Sequence, residues 1–217
     1  RLDEESVVKL YYTGISADLV EREKQFAREA FILGVPTAIS YEIVQCGDRL
    51  GVIYEMLEAK LFSEIIRNDL QNLASHARTL AAAARTIHSA RDHKSVFPDA
   101  KTHFRRSLHQ LADDFPPEDI EHLRHRLDHI PDTDECVHLD LHTSNIMIRG
   151  GEPVIIDMGD LSRGHYLFDV GLLAMRGPRC PHRLERPRKI ERPQLLSPLA
   201  GSMRGPDGEP IIKHRAS

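Results

Sequence analysis

The sequence predicts an α+β fold in two unequal parts, and three observations carry that reading. A strand-like segment, a helix and a hairpin account for the first 57 residues. Helical periodicity then dominates as far as residue 129. After it, two short apolar runs flank the turn Gly150-Gly151. With 217 residues, 41% of them apolar and 29% charged, the chain can build a core and two small lobes around a shared cleft.

Each element follows from local chemistry. Residues 6–12, Ser-Val-Val-Lys-Leu-Tyr-Tyr, read as a strand from their β-branched and aromatic content. The turn Thr13-Gly14-Ile15-Ser16 leads into a helix over 17–33, with Leu19, Phe26, Ala30 and Leu33 on one side. Gly34 and Pro36 end that helix in the expected order. Residues 40–44 and 50–54 form two strands joined by the polar turn Gln45-Cys-Gly-Asp48. From Leu61 onward the pattern is mostly helical. Leu73, Ala77, Leu80, Ala84 and Ile87 recur at three and four within 70–89, and 101–112 and 118–129 are two further helices around the breaker Pro116-Pro117. Residues 146–148 and 153–156 form a hairpin that presents a polar residue at each end. No internal repeat is visible.

Composition excludes several classes. No stretch approaches the ~18–20 apolar residues of a membrane span, and no charged segment followed by an apolar one opens the chain. Cys46, Cys136 and Cys180 are far apart and form no CxxC pair, which argues against a disulfide framework or cysteine zinc site and makes a reducing cytoplasm the expected location. Residues 176–217 hold ten Lys/Arg against four Asp/Glu, a net of +6, and seven of the 13 prolines. That shift marks a boundary at 175–177, and the basic Pro/Arg-rich tail is expected to be disordered. Without aromatic interleaving, the tail is not expected to bind nucleic acid. The chain opens on Arg1 rather than Met, so a fragment or processed product is expected.

The chemistry concentrates in 138–169. His138-Leu-Asp140-Leu-His-Thr-Ser-Asn145 is followed twelve residues later by Asp157, in Ile155-Ile-Asp-Met-Gly-Asp160. Asp140 lies five residues before Asn145 in a short loop, and the hairpin returns Asp157 beside Asn145. One carboxylate can then orient a hydroxyl, while an Asn and an Asp share a hard cation through oxygen. Mg²⁺ bound to substrate phosphates needs only one or two protein carboxylates. Phosphoryl transfer asks for positioning, charge neutralisation and a group that aligns the nucleophile.

This combination resembles the catalytic signature of the aminoglycoside phosphotransferase and choline kinase group, related to the catalytic loop and metal-binding Asp of protein kinases. The resemblance implies a two-lobed protein-kinase-like fold, with a small β-rich N-lobe and a mostly helical C-lobe. It implies Asp140 as catalytic base, Asn145 and Asp157 as magnesium ligands, and Asp169 as a brace for the catalytic loop. Lys9 in the first strand resembles the lysine that holds nucleotide phosphates, with Glu23 of the next helix as its partner. Glu21 is an alternative partner, and the matching family helix favours the second glutamate of Glu21-Arg-Glu23. Ile53-Tyr-Glu-Met-Leu57 resembles the hinge between lobes, whose backbone around Glu55 to Leu57 would hydrogen-bond the purine. The segment 80–88 matches a family helix ending in Ile-His, with His88 structural. The implied organisation is a partial N-lobe over 1–57, a catalytic C-lobe over 58–175, and the tail over 176–217.

Three departures stand beside the likeness. The family's two strands and phosphate-covering loop ahead of the lysine strand have no counterpart in the five residues before Ser6. The Pro/Arg-rich run over 179–188 replaces the helices that shape the acceptor pocket, so an incomplete core is expected. Leu139 stands where the family usually has Gly.

The expected activity is transfer of the γ-phosphoryl of ATP or GTP to a small-molecule hydroxyl, with Mg²⁺. The alternative from another class is an inactive nucleotide-binding or scaffold relative. His122, His125 and His129 recur at helical spacing and could bind zinc, and His138-Leu-Asp-Leu-His142 could serve a metallohydrolase. A polar helix face and the kinase-like use of Asp140 are the favoured readings of these two.

Overall fold

The computed structural model describes residues 3–176. It contains β1 (Ser6–Leu10), α1 (Ala17–Ile32), β2 (Ser40–Cys46), β3 (Arg49–Glu55), β4 (Lys60–Leu61), α2 (Phe62–Asn68), α3 (Leu73–Ser89), α4 (Ala100–Gln110), α5 (Pro117–Asp128), β5 (Cys136–Val137), β6 (Ile146–Arg149), β7 (Glu152–Ile155), β8 (Ser162–Arg163) and α6 (Leu167–Arg176). Three short 3₁₀ turns occupy Leu70–Asn72, Thr143–Asn145 and Met158–Asp160. The tail expected to be disordered lies, from residue 177 on, outside the described residues.

The first sheet is antiparallel with order β1-β3-β2. Lys9 pairs with Val52 and Val7 with Tyr54. Alternation therefore puts Val7, Lys9 and Tyr11 on one face together with Leu50, Val52 and Tyr54. That face meets α1, and Tyr11, Val20 and Val52 are its buried centre. The β2–β3 hairpin turns on Gly47 and Asp48 alone, so both strands run further than the expected four-residue turn allowed. Gly47 takes φ +64°, which only glycine adopts without strain.

Ser16 caps α1 through its side chain, accepting the Leu19 N–H. Gly34 at φ +85° closes the helix, and the Val35 N–H returns to the Ala30 carbonyl. The other face of α1 buries Phe26, Ala27 and Ala30 in the main core with Phe62, Ala83, Ala84, Ile87, Leu141, Ile146 and Ile155. One helix thus serves both the sheet and the helical part. The expected helix over 70–89 begins as a 3₁₀ turn and becomes α-helical at Leu73. A smaller core joins Ala100, Leu127, Val137 and Phe168.

Two small ladders carry the loops of the second part. β6 pairs with β7 across Gly150-Gly151, and β4 adds to the far side of β6. β5 pairs with β8. Among the described residues no helix is long and apolar enough to cross a membrane.

Candidate active site

The loop after β5 is held from below by one buried carboxylate. Asp169, in the first turn of α6, accepts the backbone N–H groups of His138 at 2.9 Å and Leu139 at 2.7 Å. His88 Nε2 lies 2.8 Å from the same carboxylate. The brace expected at Asp169 and the structural place expected for His88 are one contact. His138 is fully buried, with Nε2 3.1 Å from the Ile156 carbonyl and Nδ1 accepting the Asp140 N–H at 3.3 Å. Only the Nε2–H tautomer satisfies both bonds. Leu139 takes φ +60°, the left-handed region, which is why glycine suits that position.

Beyond this base the loop turns over at Thr143–Asn145. Asn145 Nδ2 donates to the Asp140 carbonyl at 3.0 Å and to Asp140 Oδ2 at 3.1 Å. The amide nitrogen is thereby directed at Asp140, and the amide oxygen is the atom left to meet a cation. The Ile156 N–H donates to the Asn145 carbonyl at 3.0 Å, which fixes Asp157 beside the loop.

A separate set of bonds brings Asp157 to the first sheet. The Ile155 N–H donates to the Pro36 carbonyl at 2.7 Å, and Thr37 bridges Ile155, so the strand after α1 is zipped to β7. Asp157 then caps the Met158–Asp160 turn at φ +66°. Lys9 Nζ bonds Glu23 Oε1 and also Asp157 Oδ1, the latter at 2.8 Å. Of the two expected partners, Glu23 is the one the structure selects, and Glu21 instead faces Lys24. Burial works against the Lys9 charge, but Glu23 and Asp157 outweigh it and hold the ammonium above its ordinary range. Gly159 lets the turn approach closely, since a Cβ there would lie 3.3 Å from Glu23 Oε2.

Two features were not read from the sequence. Tyr11 and Tyr54 line the same sheet face as Lys9, with Nζ 5.4 Å from the Tyr11 ring centre. Burial, and then the Glu23 charge, raise both phenols above their usual range. Strand alternation alone could have placed them there. Asp160 is the second: burial, followed by the charges of Asp140, Asp157 and Glu23, pushes its carboxyl up to about 7. Its Oδ1 is buried without a hydrogen-bond partner. The repeated acid of Ile-Asp-Met-Gly-Asp was the available signal.

Glu55 and Leu57 are not in this group. The Glu55 side chain pairs with Arg149 at 2.8 Å, and its N–H donates to the Ile39 carbonyl at 2.9 Å. The Met56 N–H is taken by the Glu5 carbonyl, and the Leu57 carbonyl accepts from Ala59.

Among the described residues no three His, Cys, Asp or Glu side chains are arranged to hold a metal ion. Both histidine alternatives lose their support. On α5 the His122 ring accepts from Arg126, and His129 turns back to the His125 carbonyl. An all-oxygen pair, Asn145 with Asp157, fits a hard cation that keeps much of its water. Beside them Asp140 and Glu23, with Asp157 itself, outnumber the ammonium of Lys9, an excess of negative charge that favours such a cation.

The profile of the APH phosphotransferase enzyme family matches residues 1–200. The chain belongs to this family. Solved APH structures share its fold at low identity. The aminoglycoside-3'-phosphotransferase of type VIII superposes with a TM-score of 0.52 at 19% identity, over 77% of this chain and 67% of its own. A streptomycin–ATP ternary complex of APH(2")-IIa gives 0.52 at 20%, over 77% and 63%. APH(3'')-Id from Streptomyces rimosus gives 0.50 at 18%, over 79% and 70%. The chain spans about two thirds of the length of these APH enzymes. No curated protein matches it in sequence.

Proposed function

We propose that this APH-family protein transfers the γ-phosphoryl of ATP, or GTP, to a hydroxyl of a small molecule. One observation supports this above the others. The Lys9 ammonium joins Glu23 of α1 to Asp157 after β7, beside the loop that carries Asp140 and Asn145. A nucleotide would lie between the parts formed by 1–57 and 58–175. Its purine would meet the backbone near Leu57, since the N–H groups of Glu55 and Met56 are already bonded within the protein.

In this reading Lys9, steadied by Glu23, holds the phosphates as a point charge. Asn145 and Asp157 hold Mg²⁺, which neutralises phosphate charge when bound. Asp140 accepts a hydrogen bond from the acceptor hydroxyl and aligns it in line with the phosphorus. The bond from Asn145 Nδ2 fixes Asp140 Oδ2 and so the orientation of the carboxylate. His138, buried, sets the loop backbone through its two ring nitrogens.

Asp140→Asn tests the assignment. Turnover with ATP and an aminoglycoside panel should fall about 10²–10⁴-fold, with nucleotide affinity by calorimetry within a few-fold. Unchanged turnover removes Asp140 from the role. No nucleotide binding by the intact chain removes the phosphotransferase reading.

A further inference from the structure

Asp160 has no part in the chemistry above, yet one of its oxygens is left without a partner. Oδ1 is closed off from solvent and accepts no hydrogen bond. The groups that could have served it are committed elsewhere. Lys9 is spent on Glu23 and Asp157, and the Ser162 hydroxyl donates to the Asp160 backbone carbonyl rather than to its side chain. Asp157 and Asp160 flank one 3₁₀ turn, as its cap and its last residue, and Asp140 is close enough to act on the Asp160 charge. A buried carboxylate oxygen needs a donor.

A divalent cation held by Asn145 and Asp157 brings such donors with it. Mg²⁺ gives up its water reluctantly, and a site with one or two carboxylates leaves several waters on the ion. Their protons need acceptors, and groups that supply them orient the ion from outside its coordination shell.

We propose that Asp160 Oδ1 accepts a hydrogen bond from a water carried by the cation at Asn145 and Asp157, making Asp160 a positioning residue for the metal. This rests on the metal site of the proposed function. The experiment is Mn²⁺ titration of the whole chain with a non-hydrolysable ATP analogue, followed by calorimetry and by the Mn²⁺ paramagnetic resonance signal. Cobalt hexammine, whose ammines do not exchange, is titrated in parallel as an ion that binds only through its outer sphere. Asp160→Asn should weaken Mn²⁺ about 10–100-fold and weaken cobalt hexammine as well, while melting shows a folded protein. Asp157→Asn should remove Mn²⁺ binding. Equal Mn²⁺ affinity in wild type and Asp160→Asn overturns the role of Asp160 alone. Loss of Mn²⁺ with cobalt hexammine unchanged makes Asp160 a direct ligand and overturns the water-mediated contact. A wild-type chain that binds no Mn²⁺ with the analogue overturns the metal site itself, and this role with it.

Discussion

Two halves of the same cleft are held by different physics. Lys9 and Glu23 are 4% and 7% exposed, locked into a sheet-on-helix core between tyrosines. The Asp157 and Asp140 side chains are 22% and 25% exposed and sit on turns held by hydrogen bonds. On the sheet side, geometry comes from burial, so the Lys9 charge is itself part of the structure. On the loop side, geometry comes from Asp169, His138 and backbone bonds beneath the loop, so the Asp140 side chain can change with little effect on folding.

The sharpest way to break that contrast is Lys9→Met. It leaves Glu23 buried beside Asp157 with no cation, and loss of one partner of a buried pair costs about 3–5 kcal/mol. Denaturant melts should show that loss, whereas Asp140→Asn should stay within about 0.5 kcal/mol of wild type. Comparable values for the two would erase the distinction.

Asp160 gives the next effect, through pH. Its carboxyl titrates near 7 in the folded protein against 3.8 in the unfolded chain. Between those values the native state keeps a proton that the unfolded state has released, so stability falls as pH rises from about 4 to 7. The difference between wild type and Asp160→Asn should change by about 2–4 kcal/mol over that range in metal-free buffer. A constant difference would show that Asp160 is not desolvated.

Gly51→Ala probes the sheet side without touching a charge. The new methyl would lie 2.8 Å from Val8 Cγ1 and 3.0 Å from the Lys9 carbonyl. Overpacking there should cost about 1–3 kcal/mol and move Lys9 away from Asp157. On the loop side, Leu139→Gly relieves a left-handed residue but gives up its packing against the Phe168 cluster. The two nearly cancel, and the stability should move by less than about 1 kcal/mol in thermal melts.

The same contrast governs what was legible in the sequence. Gly34 with Pro36, Gly150-Gly151 and the spacing of Leu73 to Ile87 announce their elements locally, and α1 and α3 follow. The loop over 138–145 was legible because its residues are close in sequence and typed by their chemistry. β4 and β8 were not, because a two-residue strand has no periodicity and its partner lies far along the chain. The commitment of the Met56 N–H to Glu5 was equally invisible, since it depends on the register between β1 and β3. Asp160 was visible as the second acid of its motif but carried no assigned role, because its burial comes from packing that the local sequence does not show.

The Lys9–Asp157 contact spans 148 positions along the chain. Such a closure is entropically demanding, whereas the β2–β3 and β6–β7 hairpins close over two residues. Refolding followed by hydrogen exchange should therefore protect those hairpins first. The lysine and aspartate should meet after them, so the cleft would acquire its charge pattern only once both hairpins have formed.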